Sequence, residues 1–144
     1  MHVSGKNLDP VALLKGTRLD AYRIHHVGEP CRPRDPGGAK FTLSGFSVIV
    51  SDASWSDLRQ QIADACAFLD RHADDIRSVR APGTVDDIRL DFPIDSRLSE
   101  TIAGQFDFFP AELVARAGAL GIGLELSTYR TSEEQNGGPP GGSG

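Results

Sequence analysis

Apolar side chains recur along the chain with two different periods, and each switch between them marks an element. From Trp55 onward the step is three and four: Trp55, Leu58, Ile62, Ala65, Cys66, Leu69, Ala73 and Ile76. That spacing draws one apolar stripe down a helix. Arg59, Gln60, Asp64, Asp70 and Arg71 fill the other face. Ser54, three residues ahead of Asp57, makes a shortened capping box, Pro82-Gly83 closes the segment, and a break is expected near His72. Pro110 opens a second helix with Glu112 in its first turn, an apolar stripe through Leu113, Val114, Ala117 and Leu120, and Gly121 as its stop. A short helix follows Asp9-Pro10, with Asp9 as its cap, and ends at Gly16.

Elsewhere the step is two. Tyr22, Ile24 and His26 alternate within Leu19 to Val27, and Ile88, Leu90 and Phe92 alternate within Asp87 to Ile94, so both segments read as strands. Asp87, Arg89 and Asp91 put polar groups on the second face of the latter, and Pro93 suggests its end. Phe41, Leu43 and Gly45 alternate, then Phe46, Val48 and Val50 alternate in the opposite phase, which predicts a bulge or bend at Gly45. Ile122, Leu124 and Leu126 form a last strand ending near Tyr129. Gly28 to Ala39, rich in proline and glycine, is a loop, and a variable connection leads from Arg97 to the aromatic cluster Phe106, Phe108 and Phe109.

The order is thus helix, strand, strand, long helix, strand, helix, strand. It predicts an α+β fold: a mainly antiparallel sheet of four to five strands with two main helices packed on one face. Residues 1–131 are expected to form one domain, and 132–144, rich in Gly, Pro and Ser, a disordered tail.

Composition narrows the functional classes. The chain has 144 residues, 39% hydrophobic and 24% charged, which suits a folded domain with its own core. A net charge of −5 disfavours nucleic acid as a partner. No apolar run is long enough to span a membrane, and Met1 to Pro10 has no signal-peptide character. Two cysteines, Cys31 and Cys66, are too few for a disulfide framework and point to the cytoplasm; whether they pair is left open. The charge is uneven. Residues 1–50 carry seven basic and four acidic side chains, whereas 51–100 carry eleven acids and six arginines.

No candidate chemistry has a complete signature. His25 and His26 are neighbours on a strand and face opposite ways, so they cannot share a metal, and no ligand spacing accompanies them. No cofactor is implied. Cys31 with His25 or His26 is the one arrangement that resembles a thiol nucleophile, with Arg32 and Arg34 available to lower its pKa, but its loop setting and the lack of a partner acid weaken it. Asp74-Asp75 and Asp86-Asp87 project in different directions and make poor acid–base pairs. Gly118-x-x-Gly121-x-Gly123 follows a helix instead of opening one, the wrong order for a phosphate cradle.

The run Phe109-Pro110-Ala111-Glu112-Leu113-Val114, then Leu120-Gly121-Ile122-Gly123-Leu124-Glu125-Leu126-Ser127-Thr128-Tyr129, resembles the closing helix, Leu-Gly turn and strand of a family of small uncharacterised bacterial domains. The Gly28-Glu29-Pro30 loop and the Ser44-Gly45-Phe46 strand are similar as well. Some members of such families look like immunity proteins that neutralise bacterial toxins. The resemblance implies a stoichiometric inhibitor without catalysis, and an N-terminal strand for which only Met1 to Ser4 are on hand. It transfers no site residue.

The expectation is therefore a non-enzymatic protein-binding domain whose partner is a basic protein such as a toxin. Asp70, Asp74, Asp75, Asp86 and Asp87 are the candidate contact residues. The alternative is a small enzyme built on His25 or His26 and Cys31.

Overall fold

A computed structural model describes residues 1–131; the predicted tail, 132–144, lies outside the described residues. The elements in chain order are β1 (His2–Gly5), α1 (Pro10–Leu14), β2 (Ala21–His25), β3 (Ser44–Val48), α2 (Leu58–Arg80), β4 (Asp87–Asp95), α3 (Ala111–Ala119) and β5 (Gly123–Tyr129). The five strands make one sheet in the order β2-β3-β1-β4-β5, antiparallel throughout except for the parallel pair β4–β5. The α+β class with a mainly antiparallel sheet is what the two hydrophobic periods predicted.

Strand β1 is the element that periodicity overlooked, and it lies at the centre of the sheet. It pairs with β3 on one side and β4 on the other, so Val3 stands opposite both Phe46 and Ile88. These three, with Leu90 and Phe92 further along β4, line one face and are buried. Leu69 and Ile76 of α2 and Leu113 and Ala117 of α3 join them in a single core. Both main helices thus cover one face. The other carries His2, Ser47, Arg23, Arg89, Asp91, Glu125 and Ser127, with His2 opposite Ser47 and Arg89, Arg23 opposite Ser47, and Asp91 opposite Glu125. There His2 Nδ1 lies 2.8 Å from Ser47 Oγ, Arg89 donates to Asp87 and Glu125, and Ser127 donates to Asp91.

Asp9 accepts from the amides of Val11 and Ala12 and opens α1 as predicted. The capping box expected from Ser54 does not form: Asp57 is itself the cap of α2, accepting from the Gln60 amide, which leaves Trp55 outside the helix. Inside α2 only His72 leaves helical geometry, at φ −110° and ψ 15°, the predicted break. Gly121 adopts φ +66° after α3, a conformation that favours glycine at a helix stop.

Two local expectations are corrected. Gly45 sits in regular pairing between Ser4 and His25, and the register shift falls instead in β2, between Ala21 and Arg23. A glycine is required there because a Cβ would run into the carbonyl oxygen of Val3 and the ring of His25. Pro93 does not end β4. The strand continues to Asp95 alongside β5, because β1 pairs with β4 no further than Arg89 and beyond that point no neighbour on that side calls for a ladder donor; the Pro93 carbonyl takes Gln61 Nε2 at 2.9 Å. The loop after β2 closes on itself as an irregular hairpin, with Pro30 bridged to Lys40.

Candidate functional site

The five acids singled out from the sequence do not form a free acidic face. Asp70 is paired with Arg116 at 2.9 Å, Asp74 with Arg77 at 2.8 Å and Asp87 with Arg89 at 2.7 Å. Asp86 accepts the backbone amide of Lys6 at 2.7 Å. Asp75 is buried. Its carboxylate accepts from His72 Nδ1 at 2.8 Å and from the Arg18 amide and Nε, each at 3.2 Å. The His72 hydrogen bond, then those of Arg18, hold the Asp75 carboxyl below its ordinary range despite burial. Asp75 is thus a structural anchor that ties Arg18 to the break in α2, and it is removed from any contact surface.

His25 and His26 part ways as expected from adjacent strand positions. The ring of His25 stacks on Phe41 with centroids 4.0 Å apart and leaves Nδ1 buried without a partner among the described residues. His26 lies beyond β2 against Glu29, at 3.4 Å. Cys31 gives its carbonyl to Arg23 and its amide to Ala39, and no hydrogen bond joins it to either histidine among the described residues. Both cysteines are free. Among the described residues no group of three His, Cys, Asp or Glu side chains is placed to hold a metal ion, and no helix is long and apolar enough to cross a membrane.

The most unusual surface lies on the connection from β4 to α3. Two of its polar side chains, Gln105 and Asp107, fold back onto Arg97, while Ser99, Glu100 and Thr101 face water. Arg97 donates through its amide to Gln105 Oε1 at 2.8 Å and through its guanidinium to Asp107 at 2.9 Å, and Gln105 donates to the same carboxylate at 2.9 Å. The Asp107 side chain is only 10% exposed. Burial pushes its carboxyl up, but the two hydrogen bonds and the Arg97 charge outweigh this and leave it below its ordinary value. The apolar side chains of the same loop turn outward: Phe106 is 92% exposed and Phe108 76%, with Leu98 and Ile102 beside them in sequence and nearly half exposed. Phe109 alone of the aromatic cluster turns in, onto Phe92 at 4.9 Å.

Two features lie at the ends of this loop. Trp55 and Tyr129 stack at 4.8 Å and are both nearly half exposed. They stand where the loop leaves the sheet, for Asp95 donates to the Trp55 carbonyl and Ser96 to that of Tyr129. On the other flank, Phe108 and Pro110 wall an open groove of about 480 Å³ with Leu58, Ile62 and Cys66 of α2. Burial pushes the Cys66 thiol up, against the pull of Arg116, so it is a poor nucleophile.

The chain matches no family model, no characterised protein sequence and no solved structure.

Proposed function

We propose that this chain is a non-enzymatic protein-binding domain and that its partner lands on the loop 96–108 and the groove beside it. The supporting observation is the inversion within that loop, where Asp107 and Gln105 are turned in on Arg97 while Phe106, Phe108, Ile102 and Leu98 face water. A solvated loop normally arranges itself the other way. Several large apolar side chains held out to water on one ordered loop mark an interaction site, and exposed aromatics serve as its anchors. Here the loop is pre-shaped by its internal bonds, so little ordering cost remains to be met on binding.

The partner is a basic protein, in keeping with the net charge of −5. Capture of a bacterial toxin is the concrete form, following the resemblance of the closing helix, turn and strand to immunity-protein-like domains. The setting is the cytoplasm, which suits two unbridged cysteines. The partner's anchor moves from the five predicted acids to the aromatic loop, since three of those acids are already occupied by arginines and one is buried. An enzyme built on His25 or His26 and Cys31 has less support, because nothing couples the thiol to an imidazole.

A photo-crosslinking residue placed at Phe106 in cells tests this reading, with the same residue at Arg77 as control. One specific adduct from position 106 and none from position 77 is expected. Equal labelling from both positions contradicts it.

A further inference from the structure

The free edge of the sheet is a second surface, independent of the aromatic loop. Strand β5 closes the sheet on one side and β2 on the other. An open edge invites a further strand, and natural proteins guard it with bulges, proline, lysine or a covering segment. Edge β2 is guarded: its pairing shifts between Ala21 and Arg23, and it runs into the irregular hairpin that bridges Pro30 to Lys40. Edge β5 is not. Its seven residues hold no proline or lysine, and they pair with β4 in unbroken register from Gly123 to Tyr129. The Ser96 amide donates to the Tyr129 carbonyl at 2.7 Å, which turns the backbone groups of Tyr129 toward β4. Backbone direction alternates along a strand, so the N–H and C=O groups of Leu124, Leu126 and Thr128 point out of the sheet. They meet no partner among the described residues.

The side chains at this edge suit a second copy of the same strand. When β5 pairs antiparallel with itself, a two-fold axis at Leu126 is the register that pairs all seven residues and keeps the two faces of the sheet matched. It sets Leu126 opposite Leu126, Leu124 opposite Thr128, Glu125 opposite Ser127 and Gly123 opposite Tyr129. The outward groups of Leu124, Leu126 and Thr128 then fall on mutually bonded pairs. Glu125, the one charged residue of the strand, faces Ser127 and is already answered by Arg89 at 2.8 Å. An axis at Glu125 would instead set like charges against each other. Tyr129, nearly half exposed, covers the bare backbone of Gly123, an aromatic pairing that supports glycine at an edge. Leu126 stands opposite the buried Phe92, and so on the helix-covered face, yet it is 38% exposed. There α3 packs over β5 with α2 inboard of it, and Arg116 turns to Asp70 of α2. Val114, two residues before Arg116 and so on the opposite flank of α3, is 49% exposed on the side of the free edge. Leu126 and Val114 are the apolar groups that a second copy would cover.

We propose that β5 is the interface of a symmetric dimer, in which two copies of this chain pair their β5 strands antiparallel about Leu126 and extend one sheet through both. Sedimentation velocity on the full chain reads its state, and hydrogen exchange followed amide by amide reads the interface. A concentration-dependent dimer is expected at micromolar protein. In the dimer the amides of Leu124, Leu126 and Thr128 should be protected, and dilution should release them together. Leu126→Lys sets two lysines against each other on the axis and should weaken the dimer at least about tenfold. Thr128→Pro removes an outward donor, leaves the bonds to β4 in place, and should act in the same direction. Both positions are exposed, so both variants should keep the parent fold. Exchange in the parent is decisive even if they do not. The proposal is overturned if a dimer leaves those amides exchanging freely, or if both folded variants dimerise like the parent. A monomer overturns it too: with those amides protected, another segment covers the edge, and with them free, the edge is left to a strand of a different protein.

Discussion

The Nδ1 of His72 lies 2.8 Å from Oδ2 of Asp75, three residues further along α2, and the two bridge the only break in that helix. Arg18, in the segment between α1 and β2, closes on the same carboxylate and on the Arg71 carbonyl. One carboxylate therefore ties the N-terminal third of the chain to the kink. Asp75→Ala leaves the His72 N–H and the Arg18 amide without their acceptor. The Arg18 guanidinium is well exposed and can return to water, so the cost is that of orphaned buried donors, about 1–3 kcal/mol, and not the larger cost of a stranded buried charge. Urea denaturation of the variant and parent measures it.

The same pair sets an acid limit. In the folded chain the Asp75 carboxyl is held below its ordinary value of 3.8, first by the His72 hydrogen bond and then by Arg18. The unfolded chain binds the proton more readily, so the stabilisation is fully present above about pH 4 and is lost as pH falls through the lower, folded value. The stability gap between the parent and Asp75→Asn should accordingly narrow as pH is lowered from about 6 to about 3. A gap that stays constant over that range would refute the assignment.

Exposed aromatics that serve a partner contribute little to the fold. Phe106→Ser combined with Phe108→Ser should change unfolding free energy by less than about 0.5 kcal/mol. Calorimetric or urea unfolding reads this directly. A large loss would mean that the loop packs on the body of the protein and is no free surface.

The loop's order depends on Arg97. Arg97→Ala removes two contacts that close it, to the Asp107 carboxylate and the Phe106 carbonyl. Because Asp107 is freed to hydrate when the loop opens, the effect should be local: faster amide exchange across 97–107 with little change in the global urea midpoint.

Gly45→Ala should be far more damaging than its size suggests. The added methyl meets the Val3 carbonyl oxygen in the central β1–β3 ladder and the His25 ring, neither of which is free to move away. A loss of about 1–3 kcal/mol is expected, as for overpacking within a core, and a thermal melt checks it.

The long helix, its kink, α3 and β4 were legible because each carries enough apolar residues for a period to emerge. Strand β1 was not, since His2–Gly5 contributes one buried apolar side chain to pattern and draws its stability from two neighbours distant in the chain. Phe106, Phe108 and Phe109 stand out as a cluster in the sequence, yet which of them faces inward is decided by Phe92, far off in the chain. The acids show the same limit. Asp70, Asp75 and Asp87 read alike as charges, but Arg116, Arg18 and Arg89 decide which are answered. His72 did carry a signal: it falls on the apolar stripe between Leu69 and Ile76, where a polar side chain must find a buried partner, and Asp75 is within one turn.

The proposed docking of a protein partner on the aromatic loop has a direct measurement. Once the adduct from position 106 identifies that partner, titration calorimetry against the purified parent and the Phe106→Ser, Phe108→Ser double variant measures the claim most directly. A one-to-one complex is expected for the parent and at least about a hundredfold weaker binding for the variant, as two anchor residues would give. Equal affinity for both proteins would contradict it.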